Sequence, residues 1–150
     1  MREDQLREWL RTQRELQEKS YGVDFDKMTT EDRITFITWN VVALTDELHE
    51  ALAETGWKPW ATSRHINEDA FKSELIDAFH FMGNLFLAAG MSADEVMRRY
   101  RGKRSLNAKR QEDGYDGVTT KCPVCKRALD DPAVSCTYDE VSHRAECAAS

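Results

Sequence analysis

The sequence predicts an all-α fold, a four-helix-bundle-like core that forms a dimer, with a small C-terminal appendage. Three observations carry this expectation. Apolar residues recur at spacings of three and four through roughly the first 115 positions. Loop signals at Gly22-Val-Asp24, Gly56 to Pro59, Gly90 and Gly114 divide that stretch into four pieces. All four cysteines, in contrast, fall in the last 29 of the 150 residues.

The first helix is expected over 3–20, where Leu6, Trp9, Leu10, Gln13 and Leu16 share one stripe. Gln13 is the polar misfit on it. Thr29 or Thr30, followed by Glu31 and Asp32, caps a second helix over 31–54. There Ile34, Ile37, Val41, Leu44, Leu48 and Ala51 form a bundle-type seam. Asn67 is placed to cap a third helix, 68–89, and Ser92 with Glu95 to form a capping box for a fourth, 93–113. The third helix is apolar around nearly its whole circumference, which predicts a buried central helix. Residues 116–121 read as a polar linker, giving a first domain over 1–117 and a second module over 118–150.

Composition limits the function. Hydrophobic residues make up 41% and charged residues 32% of the chain, and a domain of this length buries roughly 70% of its unfolded surface. No apolar run reaches the ~18 residues of a membrane span, and the N-terminus reads as no signal peptide, so a cytoplasmic protein is expected. The net charge of −6, from 21 basic and 27 acidic residues, argues against general nucleic-acid coating.

The chemistry concentrates on the second and third helices. Glu47 and Glu50 lie three residues apart, and so do Glu74 and Asp77, each pair on one helix face. His80 or Phe81 and then Asn84 continue the third-helix row. Charge on an apolar helix is costly unless it is paired or bound to metal. Four carboxylates make an oxygen-rich site suited to Mg²⁺ or Mn²⁺, and divalent ions would neutralise a triphosphate before water attacks phosphorus. Glu54 lies one turn beyond Glu50. A basic run follows: seven of the thirteen residues 98–110 are Lys or Arg and none is acidic. Within it Lys103, Asn107 and Arg110 or Gln111 fall on neighbouring turns, followed by Tyr115, a spacing suited to a phosphate clamp. A solvated basic face is the plainer reading.

Taken in order, ELHE (47–50), GWKPW (56–60), ELID with AFHF (74–81) and KRSLNAKRQEDGY (103–115) resemble the dimeric all-α dUTPases of phages, some bacteria and kinetoplastids. Those enzymes belong to the MazG-like nucleotide pyrophosphohydrolases. The resemblance spans residues 5–117 and implies Mg²⁺-dependent hydrolysis of dUTP to dUMP and pyrophosphate, in sites shared by both subunits of a homodimer. It implies Glu47, Glu50, Glu74 and Asp77 as metal ligands, an acidic member of that set activating the water. Lys103, Asn107, Arg110 and Tyr115 match the segment that contacts phosphate and sugar. Gln13 matches a base-reading glutamine, Trp60 and Phe81 match pocket aromatics, and His80 with Asn84 complete the substrate-binding set. Leu16 departs from the family, which often has asparagine there. Uracil selectivity is the property this departure touches, leaving another pyrimidine deoxynucleotide as the alternative substrate. The chain most resembles the phage versions, which would place it in the host cytoplasm.

The tail reads C-x2-C-x17-H-x3-C, close to zinc-finger spacing. Cys122, Cys125, His143 and Cys147 are the expected ligands of a structural Zn²⁺, with His143 and Cys147 one turn apart on a short helix. Cys136 is left over and able to replace His143. A competing reading is a zinc-finger adaptor or DNA-binding protein on a helical dimerisation domain. The tail, however, carries four basic against five acidic residues from Lys121 to Ser150, a poor electrostatic footprint for DNA.

Overall fold

Four helices follow in chain order: α1 (Glu3–Tyr21), α2 (Thr30–Ala53), α3 (Glu68–Ala88) and α4 (Ala93–Glu112). A two-stranded antiparallel ribbon, β1 (Ser135–Asp139) and β2 (Arg144–Ala148), comes after them. The computed structural model describes residues 3–114, 117, 121–122, 124–130, 135–139 and 144–148, the two strands by their backbone. The chain divides into two compact units, Met1–Tyr100 and Arg101–Ser150, the boundary falling inside α4.

In the first unit the local chemistry sets the helix ends. The Thr29 side chain accepts from Asp32 N–H while the Asp32 carboxylate accepts from Thr29 N–H, a complete capping box at the start of α2. Ser92 supplies half of the expected box, its Oγ accepting from Glu95 N–H at 3.2 Å. The Glu95 carboxylate turns instead to Arg98 and Arg99. Asn67 precedes α3 but makes no side-chain cap. It ties the loop to α2, donating Nδ2–H to Glu54 Oε2 at 2.8 Å. Glu54 is thereby engaged in holding the α2–α3 connection. Gly90, at φ 68, ends α3 in the left-handed region that glycine enters without a Cβ penalty.

Helices α2 and α3 form the main packed pair, and α1 lies against α3. The Arg33 side chain fastens the start of α2 to the end of α3, Nε–H donating to the Ala88 carbonyl at 2.5 Å. The most deeply buried cluster is Leu6, Leu10 and Ala93, with Trp9, Phe86, Leu87, Val96 and Met97 packed around it. It joins α1, the end of α3 and the first turns of α4.

The α2 seam is left open within one chain: Ile34, Val41 and Leu48 are each about half exposed, and only Ala51 of that row is buried. One burial expectation needs correcting: α3 is not a fully buried central helix, because Leu75 and Ile76 face outward. Apolar periodicity identifies a face that avoids water; it does not say whether the same chain covers it. No single helix among the described residues is long and apolar enough to cross a membrane.

In the second unit the expected helix around Cys147 is instead strand β2. Cys147 pairs with Cys136 across the ribbon. A four-residue spacing from His143 fits one helical turn, and TYD with RAE fits a ribbon; cross-strand pairing decides for the ribbon. His143 itself lies outside the described residues, as does Tyr115.

Candidate active site

Glu47 and Glu50 project from the C-terminal half of α2, and Glu74 from the first half of α3. Each offers an oxygen within 4.8 Å of the others, a group able to hold one metal ion. The i, i+3 spacing puts the α2 pair on one face, and the tight α2–α3 packing brings Glu74 to it. Asp77, one turn further along α3, is exposed and outside this triad, but close enough for its charge to act on Glu47.

Glu47 carries the electrostatic signature of the cluster. Its carboxyl is held above the usual glutamate range, first by burial, then by the charges of Glu50 and Asp77, and by its contact with Glu74. The donor set fits a hard divalent cation, which favours oxygen ligands and would relieve this repulsion. Without metal, a carboxyl whose folded pKa is raised contributes stability at low pH and loses it as pH rises through that value. Metal-free protein should therefore lose thermal stability as pH rises through the Glu47 transition. Mg²⁺ should restore it, with a gain that shrinks on acidification as protons compete for the same oxygens. Melting curves with chelator and with Mg²⁺ across this pH range check this; a Mg²⁺ gain that does not vary with pH would count against the cluster as the binding site.

A second polar feature runs through the helices. Gln13, Asn84 and Asn40 are all buried, at 3%, 4% and 7% exposure. The Phe36 carbonyl can only accept, so Asn40 turns Nδ2–H towards it, at 2.7 Å. Asn40 Oδ1 then accepts from Asn84 Nδ2–H at 2.8 Å. Asn84 Oδ1 accepts from Gln13 Nε2–H at 2.7 Å. Gln13 Oε1 is left facing His80 Nδ1, also at 2.7 Å, which must therefore carry the proton. One backbone carbonyl thus orients three amides and sets His80 Nδ1 as a donor.

The wall beside this chain of hydrogen bonds is aromatic. Trp9 stacks on Phe79 with centroids 3.9 Å apart and meets Phe86 edge-on. Gly83 lets α1 come this close: a Cβ there would meet Trp9 Cζ2 at 2.9 Å and Gln13 Cγ at 3.1 Å.

The structure thus brings together Gln13, His80 and Asn84 from the expected binding set, and Glu47, Glu50 and Glu74 from the expected metal set. Phe81 is half-buried on α3. Trp60 is 76% exposed and makes no described ring contact. Lys103, Asn107 and Arg110 lie on the part of α4 that belongs to the second unit. Arg110 is forked onto the Asp130 carboxylate, with Nε donating to Oδ2 at 2.7 Å and Nη2 to Oδ1. That bond lowers the Asp130 carboxyl below its usual range. The sequence places Trp9 on the first-helix stripe without a site role, and gives none to Asn40 or Phe79. An asparagine inside the apolar run Trp39-Asn-Val-Val42 was the available signal for Asn40.

A family model described as dUTPase matches residues 5–89. The chain belongs to the dUTPase family. The matched span holds the carboxylate triad and the whole Gln13–Asn84–Asn40 network, and stops short of the basic segment 103–115. A dCTP pyrophosphatase of Enterobacteria phage T4 is 30% identical over 122 residues, 65% of this chain and 71% of that protein. A dCTP pyrophosphatase of Enterobacteria phage LZ5 is 42% identical over 78 residues, but the match spans only 44% of this chain and 45% of the relative. A DNA replication protein of Enterobacteria phage T4 is 30% identical over 118 residues, 61% of this dUTPase-family chain and 30% of the relative. No solved structure gives a significant match.

Proposed function

We propose that this chain hydrolyses a pyrimidine deoxynucleoside triphosphate, dCTP ahead of dUTP, to the monophosphate and pyrophosphate. The observation that carries the proposal is the Glu47–Glu50–Glu74 cluster in a chain of the dUTPase family. The two phage relatives described as dCTP pyrophosphatases favour cytosine over the uracil that the sequence resemblance first implied.

In this reading Glu47, Glu50 and Glu74 hold Mg²⁺, which when bound neutralises the triphosphate, with Asp77 adding negative charge at the edge. A carboxylate oxygen of the cluster takes a proton from the attacking water. The water oxygen forms a bond to the α-phosphorus as the bond to the bridging oxygen breaks, and pyrophosphate leaves. Trp9 and Phe79 exclude water from the base end. Cytosine presents an amino donor where uracil presents a carbonyl acceptor. With His80 Nδ1 engaged as the donor, an uncharged ring would offer Nε2 as the acceptor, and this supports a preference for the amino donor. Lys103, Asn107, Arg110 and Tyr115 keep the phosphate and sugar role that the resemblance implies for them.

The exposed apolar rows of α2 and α3 support a homodimer as the working form. A zinc-closed tail completes the proposed molecule.

Release of pyrophosphate from dCTP, dUTP and dTTP with Mg²⁺ tests the proposal directly, and hydrolysis of none of them would overturn it. Gln13→Leu should reduce the dCTP-to-dUTP preference in kcat/KM by roughly tenfold, the worth of one hydrogen bond. An equal fall for all three nucleotides, with the preference order kept, would make Gln13 structural rather than selective.

A further inference from the structure

Beyond α4 the second unit shows no apolar core among its described residues. The two large aliphatic side chains described there, Val124 and Leu129, are exposed, at 61% and 42%. Cys122 is the one completely buried side chain among the described residues, at 0%. A thiol inside and aliphatics outside describe a fold organised around sulfur.

The backbone around Cys122 is a tight knuckle. Lys121 and Ala128 form an antiparallel bridge. Cys122 N–H donates to the Arg127 carbonyl at 2.8 Å, and Lys126 N–H to the Cys122 carbonyl at 2.9 Å. Lys126, just after Cys125, sits at φ 61. A lysine holds that conformation only where its surroundings over-determine it.

The ribbon supplies a second pair. Cys136 and Cys147 are direct register partners on β1 and β2. Opposed residues of an antiparallel pair share one face, with Cα atoms about 4.5–5.5 Å apart. That separation suits two thiolates on one tetrahedral ion with metal–sulfur bonds of about 2.3 Å. The helical spacing that favoured His143 is gone, because on β2 the step from Arg144 to Cys147 covers about 10 Å.

We infer that the tail is a zinc ribbon closed by four thiolates, Cys122, Cys125, Cys136 and Cys147, with His143 outside the ligand set. This deepens the zinc-module reading and is independent of the nucleotide chemistry. Each thiol gives up its proton on binding. With four protein ligands the ion keeps no open position, so it holds the fold rather than performing catalysis.

The test uses the full chain, purified under reducing conditions, with metal content and intact mass measured together. Wild type and His143→Gln should each hold a single zinc ion per chain. Cys136→Ser and Cys147→Ser should each lose it, while helical circular dichroism stays at the wild-type level. Cobalt substitution should give the same all-sulfur absorption spectrum in wild type and His143→Gln. The inference is overturned by zinc lost from His143→Gln and kept in Cys136→Ser, by a metal-free wild type, or by an intact mass showing a Cys136–Cys147 disulfide. If the serine variants lose their helical signal as well, the His143→Gln content and cobalt spectrum still decide. Zinc found as expected in a protein that hydrolyses no nucleotide would reject the proposed activity and leave the ribbon standing.

Discussion

Glu74→Gln should leave the helices folded and remove most turnover, with the Mg²⁺ requirement shifted upward. Glu74 is the α3 member of the triad and the group that joins α3 to the two α2 carboxylates. Glutamine keeps its length and an oxygen but not its charge. Losing a metal partner outside the coordination sphere costs roughly 10- to 100-fold in affinity or activity. A direct ligand should cost at least the upper end of that range. Asp77→Asn is the informative companion. Asp77 lies outside the triad and its charge acts on Glu47 from there, so its variant should keep more activity than Glu74→Gln. Steady-state rates against Mg²⁺ concentration, with circular dichroism as the folding check, separate the two. Near wild-type turnover in Glu74→Gln at limiting Mg²⁺ would show that the cluster is not the metal site.

The second large effect is expected on stability. Asn84→Leu fills similar space but strands Gln13 Nε2 and Asn40 Oδ1, both buried, without their partner. An unsatisfied buried polar group costs about 1–3 kcal/mol, so two cost roughly 2–6 kcal/mol. For a unit of this size each kcal/mol lowers Tm by roughly 4–8 °C, and a fall of more than about ten degrees is expected. Asn84→Asp should be nearly as damaging. A carboxylate still accepts from Gln13 but cannot donate to Asn40, and it brings a charge into a buried site. Melting curves of both variants check this. A Leu variant within about two degrees of wild type would mean that the hydrogen-bond chain does not hold the helices.

The helices were legible because their signals are local. Thr29 with Asp32 and the glycine at position 90 act within one turn, and the structure keeps them. Gln13 was legible as a polar residue on an apolar stripe, and the triad as carboxylate pairs at helical spacing. Asn40 and the Trp9–Phe79 stack were not, because their meaning lies in partners far away in the chain. The outward face of α3 was not legible for a related reason: Leu75 and Ile76 belong to an apolar run that reads as buried, and sequence does not say which chain covers it. The tail was misjudged because the spacing of His143 and Cys147 fits a helix turn as readily as a strand, and only the register of Cys136 with Cys147 separates them.

Gly83 carries a consequence for how this sequence is free to drift. The space that a side chain at 83 would need is already filled by the Trp9 ring and the Gln13 stem. A larger residue at 83 is therefore admissible only after residue 9 has shrunk, and a shrunken residue 9 gives up the stack on Phe79. Neither order of substitution passes through an undamaged intermediate. The two positions therefore constrain each other, a clash at 83 on one path and a lost stack at 9 on the other.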